Sequence, residues 1–344
     1  MDEPANNSLT GTACLVFALA VLAGAALAWA VSPTLFRALP TDTSRIAVLL
    51  DTLNDEAQAP EILLFGTSVG MAGVDTAQIT ERLPEQPLAY NMSATGQAFM
   101  ESYLYYQELP DSVDIVIQLI SPNSFIRESV VDPQKYNAFY MYGYRPDERT
   151  RDVMGGIFPV EMGEQFAKSD LQQRFDSRWA ARQMADRFAR SLFRSDLTLD
   201  RGTYDLFYPS SYTRRLPEKQ YRIALRNEFG HLQRSNFWPQ ENKFELLTDL
   251  VDRAADAGKQ LVLVVEPIHP QLIATRSEAF YQGFDTAISE FGAANGVIVL
   301  NGRNKVAESD FVDAVHPTPG GAAIFTDWLA GELVRLRENG ELSY

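Results

Sequence analysis

The stretch Glu61-Ile-Leu-Leu-Phe-Gly-Thr-Ser-Val-Gly70 decides the fold. Its Ile-Leu-Leu-Phe core is continuously apolar rather than alternating, as expected of a strand buried on both faces of a parallel sheet. Gly66 punctuates the run and opens a loop that ends in a second glycine. Further strand-like runs at 88–91, 114–120, 260–266 and 296–300 alternate with helical patterns near 75–83, 97–108, 241–258, 277–293 and 320–337. That alternation predicts a parallel sheet flanked by helices. Active groups in such sheets gather at the carboxyl ends of strands, where Ser68, Gly96 and Asn123 fall.

Far downstream comes Asp313-Ala-Val-His-Pro317, followed by Gly320-Gly321 and a helical run. A serine hydroxyl is a poor nucleophile until a base takes its proton, and an imidazole base works best when a carboxylate fixes its tautomer. An Asp three residues before a His can supply base and orienter on one loop. Ser68, Asp313 and His316 are therefore the candidate catalytic residues of a serine hydrolase or acyltransferase. Gly66-Thr-Ser-Val-Gly70 also fits the nucleophile elbow of α/β-hydrolases. In that fold several strands and an oxyanion segment precede the elbow, and acid and base sit on separate loops. Here only an apolar segment and a linker precede the strand, no His-Gly-Gly stretch exists, and acid and base share a loop.

The arrangement resembles the SGNH (GDSL-like) hydrolase superfamily, in which the serine follows the first strand and an Asp-x-x-His lies near the C-terminus. The resemblance covers roughly 60–125 and 260–335. Its second segment corresponds to Asn91-Met-Ser-Ala-Thr-Gly96, and its third to Ser121-Pro-Asn-Ser124. The first block departs from the family in reading Gly-Thr-Ser rather than Gly-Asp-Ser, and the third in lacking the usual Gly-x-Asn-Asp. The resemblance implies a flavodoxin-like, three-layer α/β fold. It also implies an oxyanion hole from the backbone N–H groups of Ser68 and Gly96 and the side chain of Asn123. Gly96 and Asn123 read equally as turn residues. Asn91 and His269, the latter in Glu266-Pro-Ile-His-Pro270, are candidate substrate contacts, and His269 also reads as a structural loop histidine. No role is assigned to His231. No Cys/His cluster has metal-ligand spacing and no phosphate loop appears, so no metal or cofactor is expected.

The first residues, 1–9, contain Asp2 and Glu3 but no Lys or Arg, and Thr10–Phe36 carries no charge at all. The acidic start is wrong for a signal peptide, so residues 10–32 are expected to be a transmembrane anchor. Ala28-Trp-Ala30 keeps a cleavage site as the alternative. Arg37 and Arg45 would place the following domain in the cytoplasm by the positive-inside rule, whereas anchored members of the resembled family carry it outside. An extracytoplasmic domain is the expectation. Residues 33–59 read as a linker, with the catalytic domain in 60–135 and 241–338. The single cysteine, Cys14, excludes an intramolecular disulfide.

Residues 136–240 form a long, mostly helical insertion. The section 140–240 holds 17 of the 30 Lys+Arg and 13 of the 45 Asp+Glu, a balance of +4 in a chain of net charge −15. Leu171, Phe175, Trp179, Phe188 and Leu192 mark one side of a helix whose other side carries arginines, a cap whose apolar stripe packs on the core. A surface for anionic lipid headgroups or for an anionic glycan is the sharper alternative. Nucleic acid is excluded as a partner by the acidic balance and the lack of a binding motif.

Together these readings imply a serine acyltransferase or esterase of SGNH type. Its substrate would be the O-acyl, above all O-acetyl, groups of a cell-envelope or exported glycan. Its expected partners are membrane lipid, the acylated glycan and a multi-spanning membrane O-acyltransferase. The alternative is an inactive SGNH-like scaffold or glycan-binding subunit of a polysaccharide-modification complex.

Overall fold

The computed structural model describes residues 7–38, 42–97, 99–126, 133–176, 204–210, 212, 215–231 and 236–343. The expected strands form one five-stranded parallel sheet: β1 (Ile62–Phe65), β2 (Ala89–Asn91), β3 (Ile115–Ile120), β4 (Gln260–Val265) and β5 (Ile298–Asn301). Their order is β2-β1-β3-β4-β5. This is the doubly wound order of flavodoxin-type sheets. From β1 the chain adds β2 on one side, then crosses to add β3 on the other. A crevice opens at the carboxyl ends of β1 and β3, where the winding reverses.

Alternate side chains of each strand feed two cores. Ile62, Leu64, Ile115, Ile117, Val262 and Val264 pack with Phe325, Leu329 and Leu333 of the last helix, Pro319–Glu338. Leu63, Phe65, Val116, Ile120, Leu263 and Val265 face the opposite layer, with Leu246 and Leu250 of helix Glu241–Asp256 and Phe280 and Phe284 of helix Glu278–Asn295. Sequence alone cannot show this alternation, because both faces are apolar.

Two N-terminal expectations are corrected. Residues 10–32 lie within one helix, α1 (Asn7–Ala38), on which Leu15, Phe17, Leu22 and Leu27 are exposed. Among the described residues, no helix is long and apolar enough to cross a membrane. The transmembrane helix is thus not supported, and the extracytoplasmic placement loses its basis.

The expected linker contains a second helix, α2 (Asp42–Leu53), which buries Ile46, Leu49, Leu50 and Leu53. Their spacing of three, four and seven residues is the helical apolar stripe that marks a core-facing helix. Arg45, read as a membrane-flanking charge, is 2% exposed. Its guanidinium donates to the carbonyls of Ser93 (3.2 Å), Asn91 (2.6 Å) and Asp205 (2.5 Å).

The start of the insertion packs on the main core: helix Pro133–Met141 buries Tyr136 and Phe139 there. The Leu206 carbonyl accepts from Asn91 N–H at the end of β2, and the Phe207 carbonyl from Thr76 N–H at the start of helix Thr76–Arg82. The expected arginine-rich helix is described only as far as the helix Asp170–Asp176, where Leu171 and Phe175 are exposed rather than packed on the core. Trp179, Phe188 and Leu192 lie outside the described residues.

Buried Arg45 ties α2, the loop after β2 and the insertion together, so its removal leaves three carbonyls without their cationic donor. Arg45→Met is expected to lower the unfolding free energy by about 3 kcal/mol in chemical denaturation, each charge-assisted bond being worth about 1.5–3 kcal/mol. A change below about 0.5 kcal/mol, the usual scatter for surface substitutions, would contradict this role.

Candidate active site

β1 ends at Phe65, and the chain turns through Gly66 and Thr67 into the short helix α3 (Ser68–Gly73). Thr67 caps that helix by accepting from the N–H of Val69 at 3.0 Å, and its hydroxyl donates to Glu266 Oε2 at 3.3 Å. Here the threonine that departs from the family pattern has a local task. The two glycines of the motif answer a packing demand. A Cβ on Gly70 would lie 2.6 Å from Ser93 Oγ and 2.7 Å from Leu119 Cδ1, and one on Gly66 would lie 2.9 Å from the same leucine carbon. Only glycine lets the turn press this close to its neighbouring strands.

Asp313 and His316 sit in a small hairpin closed by a bridge between Phe311 and Pro317 and by the bond from Val312 N–H to the His316 carbonyl, 2.9 Å. Asp313 Oδ1 accepts from the backbone N–H groups of Val315 and His316, both at 2.9 Å. Oδ2 lies 2.8 Å from His316 Nδ1. One carboxylate therefore folds its own loop and orients the imidazole. With Nδ1–H donating to Asp313, Nε2 is left as an acceptor, and it lies 2.9 Å from Ser68 Oγ. The Ser–His–Asp relay expected from sequence is assembled, across 248 residues of separation.

Burial pushes the Asp313 carboxyl upward, but the imidazole and the two backbone donors outweigh it and hold the carboxyl below its ordinary 3.8. His316 and Asp313 are only 11% and 19% exposed. Tyr212, from the insertion, stacks on the His316 ring with centroids 3.8 Å apart and planes 11° from parallel. The stack and the Asp313 bonds together fix the plane and the tautomer of the imidazole.

The remaining sequence candidates take varied places. Asn123 opens onto a cavity of about 50 Å³, which it shares with Val69, Glu266, Arg276 and Val315. Val69 follows Ser68 and Val315 precedes His316, so this cavity adjoins the relay. Gly96 occupies an exposed turn with φ +63°, and its carbonyl accepts from Lys135 Nζ at 2.6 Å. The neighbouring Thr95 hydroxyl lies 3.8 Å from Met71 Sδ of α3.

Asn91 does not face a cavity. It is fully buried, and its amide donates to the carbonyls of Gly70 and Val74 while accepting from Ser93 N–H. It fastens α3 to β2 rather than offering itself to a substrate. His269 lines the cavity, but both ring nitrogens are engaged: Nδ1 accepts from Gln271 N–H, and Nε2 meets the Tyr221 hydroxyl of helix Glu218–His231. Burial above all holds its pKa below 6.5, which suits a neutral ring accepting at Nδ1.

Sequence reading missed three residues. Glu266 follows β4 at its carboxyl end, a position that could have marked it. Arg276 and Tyr212 carry no local signal, because their meaning lies in what they touch. No protein-family model matches the chain, and no curated protein matches it. The reading of this site accordingly rests on its own geometry.

Because the carboxyl of Asp313 has a lower pKa folded than unfolded, the folded form binds fewer protons near that value. The resulting stability is fully present above the unfolded value near 4 and is lost as pH falls through the folded value. Asp313→Asn is therefore expected to be less stable than wild type at pH 7, with the gap shrinking as pH falls below about 4. Denaturation at a series of pH values checks this; a gap that does not change with pH contradicts it.

Proposed function

We propose that this chain is a serine-dependent esterase or acyltransferase of SGNH type, acting on short O-acyl esters. The observation that carries the reading is the continuous relay from Asp313 through His316 to Ser68, at 2.8 and 2.9 Å. A hydrogen-bonded pair of nucleophile and base, with the base oriented by a third group, is the signature of an activated hydroxyl.

In this reading Ser68 Oγ attacks the ester carbonyl carbon while His316 Nε2 takes the hydroxyl proton. The carbonyl π electrons move onto oxygen, and the negative charge is met by N–H donors from Ser68, Gly96 and Asn123. The tetrahedral species collapses with cleavage of the bond to the alcohol oxygen, and His316 returns its proton to the leaving alkoxide. Water or an acceptor hydroxyl then attacks the acyl-enzyme, His316 again taking a proton and passing it to Ser68. Hydrolysis and transfer share every one of these steps and differ only in the acceptor.

The glycan substrate and the multi-spanning acyltransferase partner were tied to a membrane anchor. Without a membrane-crossing helix among the described residues, the reading narrows to the ester chemistry itself.

The test is turnover of 4-nitrophenyl acetate by point variants. Ser68→Ala and His316→Ala should each remove nearly all activity, and the double variant should be little worse, because the residues act as a unit. Asp313→Asn should slow turnover by up to about 10⁴-fold through the wrong tautomer. Asn123→Ala should cost about 10²–10³-fold as one oxyanion donor lost. Full activity in folded Ser68→Ala would refute the assignment.

A further inference from the structure

We propose that Arg276 is a positioning residue that holds the Asn123 amide in its donating orientation toward the oxyanion. The inference deepens the esterase reading and rests on it. Arg276 is 7% exposed and follows helix Pro270–Thr275, whose first turn His269 caps. Its guanidinium lies 4.2 Å from the centre of the Phe280 ring, which fixes the head group over an apolar plate. From there Nη2 donates to Asn123 Oδ1 at 2.9 Å.

The chemistry of the pair settles which way the amide faces. An asparagine side chain has an acceptor oxygen and a donor nitrogen of nearly equal size, and either can turn toward a neighbour. A guanidinium has five N–H donors and no acceptor, so it selects the oxygen. The NH₂ group of Asn123 is thereby turned to the other side. Asn123 and Arg276 line one cavity with Val69 and Val315, the chain neighbours of Ser68 and His316. An oxyanion needs donors already in place, since catalysis gains only from dipoles that do not have to reorient during the reaction. Asn123 sits in a helix of five residues, Pro122–Ile126, and its own backbone does not dictate the amide's rotation. The fixed orientation comes from the loop after β4, carried across the crevice by one charge-assisted bond.

The experiment is a double-mutant cycle on the full chain with 4-nitrophenyl acetate as substrate. Arg276→Met should lower kcat about 10-fold with KM within about twofold of wild type, since the lost interaction acts on the transition state. Arg276→Lys keeps a donor but not the planar head group stacked on Phe280, so it should lose part of that rate, less than Arg276→Met. On the Asn123→Ala background, Arg276→Met should cost less than about twofold more, because its effect passes through Asn123. A folded Arg276→Met with wild-type kcat, or one whose loss multiplies in full on Asn123→Ala, overturns the proposal. If Arg276→Met does not fold, the cycle is run with Arg276→Lys, where a loss that disappears on Asn123→Ala supports the proposal and an unchanged kcat overturns it. A wild type that neither turns over the ester nor reacts with a fluorophosphonate at Ser68 refutes the esterase reading instead, so the two failures are distinct.

Discussion

The hydrogen bond from Ser68 Oγ to His316 Nε2 joins two segments separated by 248 residues, and most of the structure can be understood as what makes that contact hold. Ser68 is placed by a central strand whose turn is pressed against Ser93 and Leu119 through two glycines. His316 is placed by a hairpin that Asp313 folds with its own carboxylate. The two meet because β1 lies inside the sheet, where the winding reverses, and because the last helix packs on the same face as the strand's Ile62 and Leu64. A register slip in β1 would exchange its two apolar faces and carry Ser68 away from the hairpin.

The insertion belongs to this arrangement. Tyr212 stacks on His316, Leu216 N–H bonds the Val312 carbonyl at the base of the hairpin, and Tyr221 meets His269. These contacts limit the rotation of the imidazole and brace the loops on either side of the cavity. All three come from within 212–221, so one stretch of the insertion braces the hairpin of Asp313 and His316 and the loop of His269. Thr67 fits the same logic. Its hydroxyl both caps α3 and reaches Glu266, linking the nucleophile turn to the end of β4.

The sheet and the meeting of Ser68, His316 and Asp313 were legible in the sequence because their signals are local. Continuous apolar runs gave the five strands within one or two residues, and the Gly-x-Ser-x-Gly and Asp-x-x-His spacings gave the relay. What sequence could not supply was any contact made at a distance. The amide of Asn91 carries no mark that it will be spent on Gly70 and Val74, and nothing near Tyr212 announces His316. Helix α2 does carry a local signal, since Ile46, Leu49, Leu50 and Leu53 repeat at helical spacing, but it stands beside a longer and stronger apolar segment. That segment, long and uncharged, invited a membrane reading that the described residues do not support.

The central claim is that Ser68 is a nucleophile with His316 as its base, and the most direct measurement is the mass of the protein after reaction with a fluorophosphonate. Such a reagent loses fluoride to a hydroxyl only where a neighbouring base takes the proton and donors meet the charge on the phosphoryl oxygen. The account predicts one adduct per chain, mapped by peptide fragmentation to Ser68, absent in Ser68→Ala and strongly slowed in His316→Ala. A folded wild-type protein that gains no adduct, or gains it equally after Ser68→Ala, would contradict the account.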